Sequence, residues 1–129
     1  MEINKNVRFF LTVSSIMMAL AIAIGAFGAH GLKSIVSEQL LVTYNTGVEY
    51  HFYNTLGLFA ATFMIYLKPE SKSVRVSAWL ILIGMIIFSF SLYALVLLNM
   101  PILGAITPIG GTLLIIAWIM LAILFYKEK

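Results

Sequence analysis

Residues 76–126 read VSAWLILIGMIIFSFSLYALVLLNMPILGAITPIGGTLLIIAWIMLAILFY, 51 residues without a charged side chain. One membrane span takes about 20 apolar residues, so this run holds two. The break falls at Asn99-Met100-Pro101, because proline cannot continue a helix. A new start falls at Thr107-Pro108, where threonine suits an N-cap and proline the first helical position. Helices are therefore predicted over about 76–98 and 108–126. The second would reach about 28 Å, enough for a hydrocarbon core of similar thickness.

Upstream, Phe52 to Leu67 lies between His51 and Lys68 and is short for a span. Its helix is expected to begin earlier, with Ser37 as N-cap and Glu38 and Gln39 in a first turn that suits the helix dipole. A helix over 38–67 would be about 45 Å long. It is read as a span over about 46–67 preceded by a surface helix from about 38, with Gly47 as a place to bend. After Arg8 come 21 uncharged residues, Phe9 to Ala29, predicting a first span over about 9–28. That stretch exceeds the 7–15 residues or so of a signal-peptide core, so it is read as retained. The fold class expected is all-α: one transmembrane domain over 1–129, four helices in a compact bundle with an interfacial extension of helix 2.

Composition agrees. Of 129 residues, 62% are hydrophobic and 10% charged, against about 45–50% and about 25% in soluble domains. A small soluble domain buries only about two-thirds of its surface and could not hide this much. The chain has no Cys, which excludes disulfides, thiolate metal sites and Cys-ligated clusters. It has no Asp and five Glu, a poor basis for magnesium or phosphoryl chemistry. No catalytic, metal or cofactor residues are assigned, and the reading leans away from an enzyme. The net charge of +3 sits at loops and termini and forms no basic face, so no nucleic-acid partner is expected.

Those charges orient the chain. Lys5, Arg8, Lys68, Lys72, Arg75, Lys127 and Lys129 fall on one side, and Lys33 alone on the other. Positive charge favours the cytoplasmic face. Both termini are expected to be cytoplasmic, in a multi-pass protein of the cytoplasmic (inner) membrane, with Trp79, Tyr66 and Tyr126 as interfacial anchors.

With that orientation the atypical residues gather near the outer leaflet. His30, Thr46, Glu49, Tyr50, His51, Tyr53, Asn54, Tyr93 and Thr107 make a candidate polar cluster, expected to be connected and to face the bundle interior. Polar groups at such depth cost free energy unless partnered, which makes them functional candidates. Thr46, Glu49, Tyr50 and Tyr53 share one helix face, and Gly47, His51, Asn54 and Thr55 a neighbouring one. Two imidazoles can ligate haem or a metal, or relay a proton, but without a third suitable ligand besides Glu49 a structural zinc site is not expected. Gly25, Gly28, Gly84, Gly110 and Gly111 are expected to pack helices closely, as small residues do in membranes.

Four blocks in order carry a family resemblance: Gly25-Ala26-Phe27-Gly28-Ala29-His30-Gly31; Thr46-Gly47 with Tyr50 and Tyr53; Phe88-Ser89 with Ser91-Leu92-Tyr93; and Gly104 through Gly111 with Trp118. Over nearly its whole length the chain resembles the domain-of-unknown-function 423 family, to which eukaryotic transmembrane protein 256 is related. The resemblance implies four membrane helices and no assigned activity. The family usually reads Tyr-Gln-x-Tyr-His where this chain has Tyr50-His51-Phe52-Tyr53-Asn54, and it tends to have Gly in place of Phe90.

Three functional readings follow. The leading one is a non-enzymatic bundle that binds lipid or a partner subunit through its outer-leaflet half, as an accessory of a larger membrane complex or as a homo-oligomer. The second is an oligomeric transporter or channel element for a small solute or proton, with Glu49 and His51 on the path. The third is a haem- or redox-associated protein using His30 and His51, although neither residue is expected to bind haem.

Overall fold

In a computed structural model describing residues 2–128, four long helices follow one another with short connections. They are α1 (Lys5–His30), α2 (Glu38–Leu67), α3 (Lys72–Leu98) and α4 (Thr107–Tyr126). Three of their four starts carry the local chemistry that begins a helix or its equivalent. Asn4 caps α1 by accepting from Val7 N–H at 2.9 Å. Ser37 caps α2, accepting from Leu40 N–H at 3.2 Å, and Ser71 caps α3, accepting from Val74 N–H at 3.3 Å. These bonds satisfy donors that a helix leaves open at its first turn.

Asn99 ends α3 in the left-handed conformation (φ 51°, ψ 48°), and Met100 N–H reaches back to the Leu95 carbonyl at 3.0 Å. Asparagine tolerates that conformation better than most residues, and the backward bond closes the helix end.

α4 begins differently from the expectation. Thr107 is its first residue and not its N-cap. A 3₁₀ turn over Pro101–Ala105 runs almost directly into α4, so the flanking Ile106 is already helical in φ and ψ (−82°, −33°). That leaves the Thr107 hydroxyl free to bond Ser91 Oγ of α3 at 2.6 Å.

α1 packs on α2, α2 on α3 and α3 on α4. Glycines set the close approaches. A Cβ on Gly110 would lie 2.4 Å from the Phe88 backbone nitrogen and 2.7 Å from the Gly84 carbonyl oxygen, so α3 and α4 touch backbone to backbone. Gly28 receives the Tyr44 ring, whose hydroxyl donates to the Ile24 carbonyl at 2.5 Å. α2 is unbroken at Gly47, which instead lies against the Tyr93 ring and the Ser89 carbonyl. At the other end, Phe9 and Phe10 of α1 meet Trp79 of α3 at centroid distances of 5.2 and 5.3 Å, and Lys68 pairs with Glu128.

The stretches Lys5–Ser34, Lys72–Leu98 and Pro101–Tyr126 are long and apolar enough to cross a membrane. Large apolar side chains such as Ile22, Ile86 and Ile115 point outward along their length, as Leu56 does on α2. A soluble surface would expose them to water, whereas lipid accepts them freely.

Candidate functional site

α2 can bury only one stripe against its neighbours, and that constraint sorts the candidate residues. Its buried stripe runs through Tyr44, Gly47, His51, Asn54, Thr55 and Leu58. Thr46, Glu49, Tyr50 and Tyr53 lie on the adjoining face and are wholly or partly exposed. The nine residues therefore occupy several places instead of one connected interior cluster.

Two of them form a buried pair. His51 is 0% exposed, and its Nδ1 stands 2.9 Å from the Tyr93 hydroxyl. A phenol donating to Nδ1 leaves the proton on Nε2, which has no hydrogen-bond partner among the described residues. The Thr55 hydroxyl donates to the His51 carbonyl at 2.7 Å and also lies 3.3 Å from Met85 Sδ. Ser14, Ser77 and Ser89 are buried beside these helices with hydroxyls that lack a partner among the described residues. Their small side chains let the helices close. The pair bridges α2 and α3 under the rings of Phe90 and Tyr44.

Thr107 joins Ser91 between α3 and α4, away from His51. His30 is exposed at the last turn of α1. The Thr46 hydroxyl folds back onto the Val42 carbonyl at 3.0 Å. No group of three or more His, Asp or Glu that could hold a metal occurs among the described residues. His30 and His51, one exposed and one sealed in the core, do not share a site.

The remaining candidates line a groove. Tyr50, Tyr53 and Asn54 of α2, Phe88 of α3, and Gly111, Leu114, Ile115, Trp118 and Ile119 of α4 line a space of about 590 Å³. Its walls are almost entirely apolar side chains. Asn54 does not break this, because its amide nitrogen donates to the Tyr50 carbonyl at 2.8 Å. Tyr50 packs on Phe88 at 4.7 Å and stands nearly perpendicular to Tyr53 (6.0 Å between centroids, 72°). Glu49 is exposed beside them and makes no ion pair among the described residues.

Two of the groove's builders escape sequence reasoning. Trp118 forms its deep end by lying over Gly57, where a Cβ would come within 2.5 Å of the indole. A lone glycine in a largely apolar run carries no signal of the ring it will meet on a helix about sixty residues away. Gly111 matters here for the space it leaves: a Cβ there would meet only the Phe88 ring, at 3.6 Å. Gly25 is intermediate, its Cβ position lying 3.2 Å from a Val48 methyl.

An all-helical chain with three helices able to cross a membrane, a lipid-compatible surface and an apolar groove edged by tyrosines is a small helical membrane protein. It belongs to the family described as Protein of unknown function (DUF423), which matches residues 24–111. It is 42% identical over 120 residues to the UPF0382 membrane protein YwdK of Bacillus subtilis, covering 93% of this chain and 98% of that one. A UPF0382 membrane protein of Staphylococcus aureus is 40% identical, covering 93% and 97% of the two chains. One from Haemophilus influenzae is 38% identical, covering 93% and 95%. No solved structure matches.

Proposed function

We propose that this is a four-span, non-enzymatic membrane protein that holds a lipid in the groove between α2 and α4. The fourth span, α2, is supported by levels shared across the helices. Gly25 lies against Val48, Gly47 against Ser89 and Tyr93, and Ser91 bonds Thr107. At the far end Lys68 pairs with Glu128. Between these two levels each helix has about 20 residues, the number that crosses a hydrocarbon core. Residues 38–47 of α2 then project beyond the core as the interfacial extension. The seven-to-one imbalance of Lys and Arg favours both termini in the cytoplasm and the groove rim in the outer leaflet.

The observation that carries the lipid reading is the groove itself. It is apolar, open at the side and edged by Tyr50 and Tyr53, which follow closely on the Val48 level. Filling it with an acyl chain would replace poor side-chain contact by close packing, the main force between apolar groups inside a bilayer. Within the pair His51 is sealed in the core, while Tyr93 borders a second apolar groove beside α1; the bond between them is read as a structural bridge between α2 and α3.

The test is native mass spectrometry of protein released gently from membranes. Wild type should retain lipid adducts. Gly111→Leu, which fills the groove where there is room for a Cβ, should lose them while keeping its thermal stability. Equal retention by both would defeat the reading.

A further inference from the structure

We infer that the groove selects phospholipids whose headgroup carries an ammonium group, recognised by Glu49, Tyr50 and Tyr53. The inference rests on the lipid-binding reading above and adds the headgroup class.

Glu49 does not line the groove but is exposed beside it, one helical turn before Tyr53 and next to Tyr50. It lies one residue inside the level marked by Val48, at the edge of the hydrocarbon. A carboxylate at that depth is costly without a counter-charge, and among the described residues it has none. The basic residues at this end, His30 and Lys33, lie at and just after the end of α1, and α1 meets α2 through Tyr44 and Val48 on a different face from the groove. The counter-charge must then come from outside the chain.

The two tyrosines supply the rest of the site. Their rings are 6.0 Å apart and 72° from parallel; Tyr50 packs on Phe88, and the exposed Tyr53 ring offers its face to a cation at the rim. Ring faces attract ammonium groups within about 6 Å, more strongly where water is thin. Neither phenol hydroxyl has a protein partner among the described residues. Both are available to donate to the phosphate or ester oxygens of the same lipid. An anionic headgroup would bring its charge toward the Glu49 carboxylate and be disfavoured. The acyl chain then runs from the rim toward Trp118.

The probe is a nanodisc containing equimolar dioleoyl phosphatidylethanolamine and dioleoyl phosphatidylglycerol, with bound lipid counted by native mass spectrometry. Wild type should retain the ethanolamine lipid over the glycerol lipid by about tenfold. Glu49→Gln should bring the ratio to about parity with total occupancy unchanged, and Tyr53→Leu should lower it in the same direction. Equal retention of both lipids by wild type, or an unchanged ratio in both variants, overturns the headgroup inference and leaves the groove reading standing. Absence of any retained lipid in wild type overturns both.

Discussion

Gly110→Ala places a methyl group where α3 and α4 meet backbone to backbone. The new Cβ would lie 2.4 Å from the Phe88 nitrogen, 2.7 Å from the Gly84 oxygen and 2.9 Å from the Phe88 Cα. None of these atoms is the end of a flexible side chain, so the strain cannot be relieved by a rotamer change. Restoring ordinary contact requires the helices to part locally by about 1 Å. Overpacking costs about 1–3 kcal/mol, and against backbone atoms that cannot swing aside the upper part of that range, about 2–3 kcal/mol, applies; alanine returns about 1 kcal/mol through its better helix propensity. The net expectation is a loss of about 1–2 kcal/mol, a fall in Tm of about 4–8 °C. The neighbouring Gly111→Ala is the control, since its Cβ meets only the Phe88 ring at 3.6 Å and should leave Tm unchanged or raise it. Thermal unfolding in mild detergent, followed by far-UV circular dichroism and tryptophan fluorescence, reads both. A Gly110→Ala protein as stable as wild type, or a Gly111→Ala protein losing as much, would refute the packing reasoning.

Tyr93→Phe removes the hydrogen-bond partner that the buried His51 ring has among the described residues; inside a membrane this should cost about 0.6–1.7 kcal/mol, read as a lower Tm. Thr107→Val should stay within about 0.5 kcal/mol of wild type, because Ser91 keeps its bond to the Phe88 carbonyl at 2.8 Å; a larger loss in the same melt would show that the Ser91–Thr107 contact holds α4 in place. Since the chain has no cysteine, single Ser34→Cys and Ser73→Cys proteins report topology directly: an impermeant maleimide on intact cells should label the first and spare the second, and the reverse pattern would invert the orientation.

The helices were legible because their limits are written in local chemistry. Gaps between charges delimit the apolar runs, Ser37 caps α2, and Asn99 before Pro101 stops α3. Thr107 misled because the capping rule assumes a non-helical residue at that point, and the preceding 3₁₀ turn had already set helical geometry. The division of α2 into a buried and a groove-facing stripe was not legible. Spacing shows that Glu49, Tyr50 and Tyr53 share a face, but which face meets α3 depends on partners distant in sequence. Gly47 and Gly57 illustrate the same limit, since each is defined by an aromatic ring, Tyr93 or Trp118, brought to it only by packing.

A phospholipid bearing a photoactivatable diazirine in its acyl chain, crosslinked in the membrane and mapped by peptide mass spectrometry, tests the groove most directly. Adducts should concentrate on Tyr53, Phe88 and Trp118 and fall away in the Gly111→Leu protein. Adducts spread evenly over outward-facing residues such as Ile16, Ile22, Phe63 and Ile86, and unchanged by Gly111→Leu, would show ordinary lipid contact and no bound lipid.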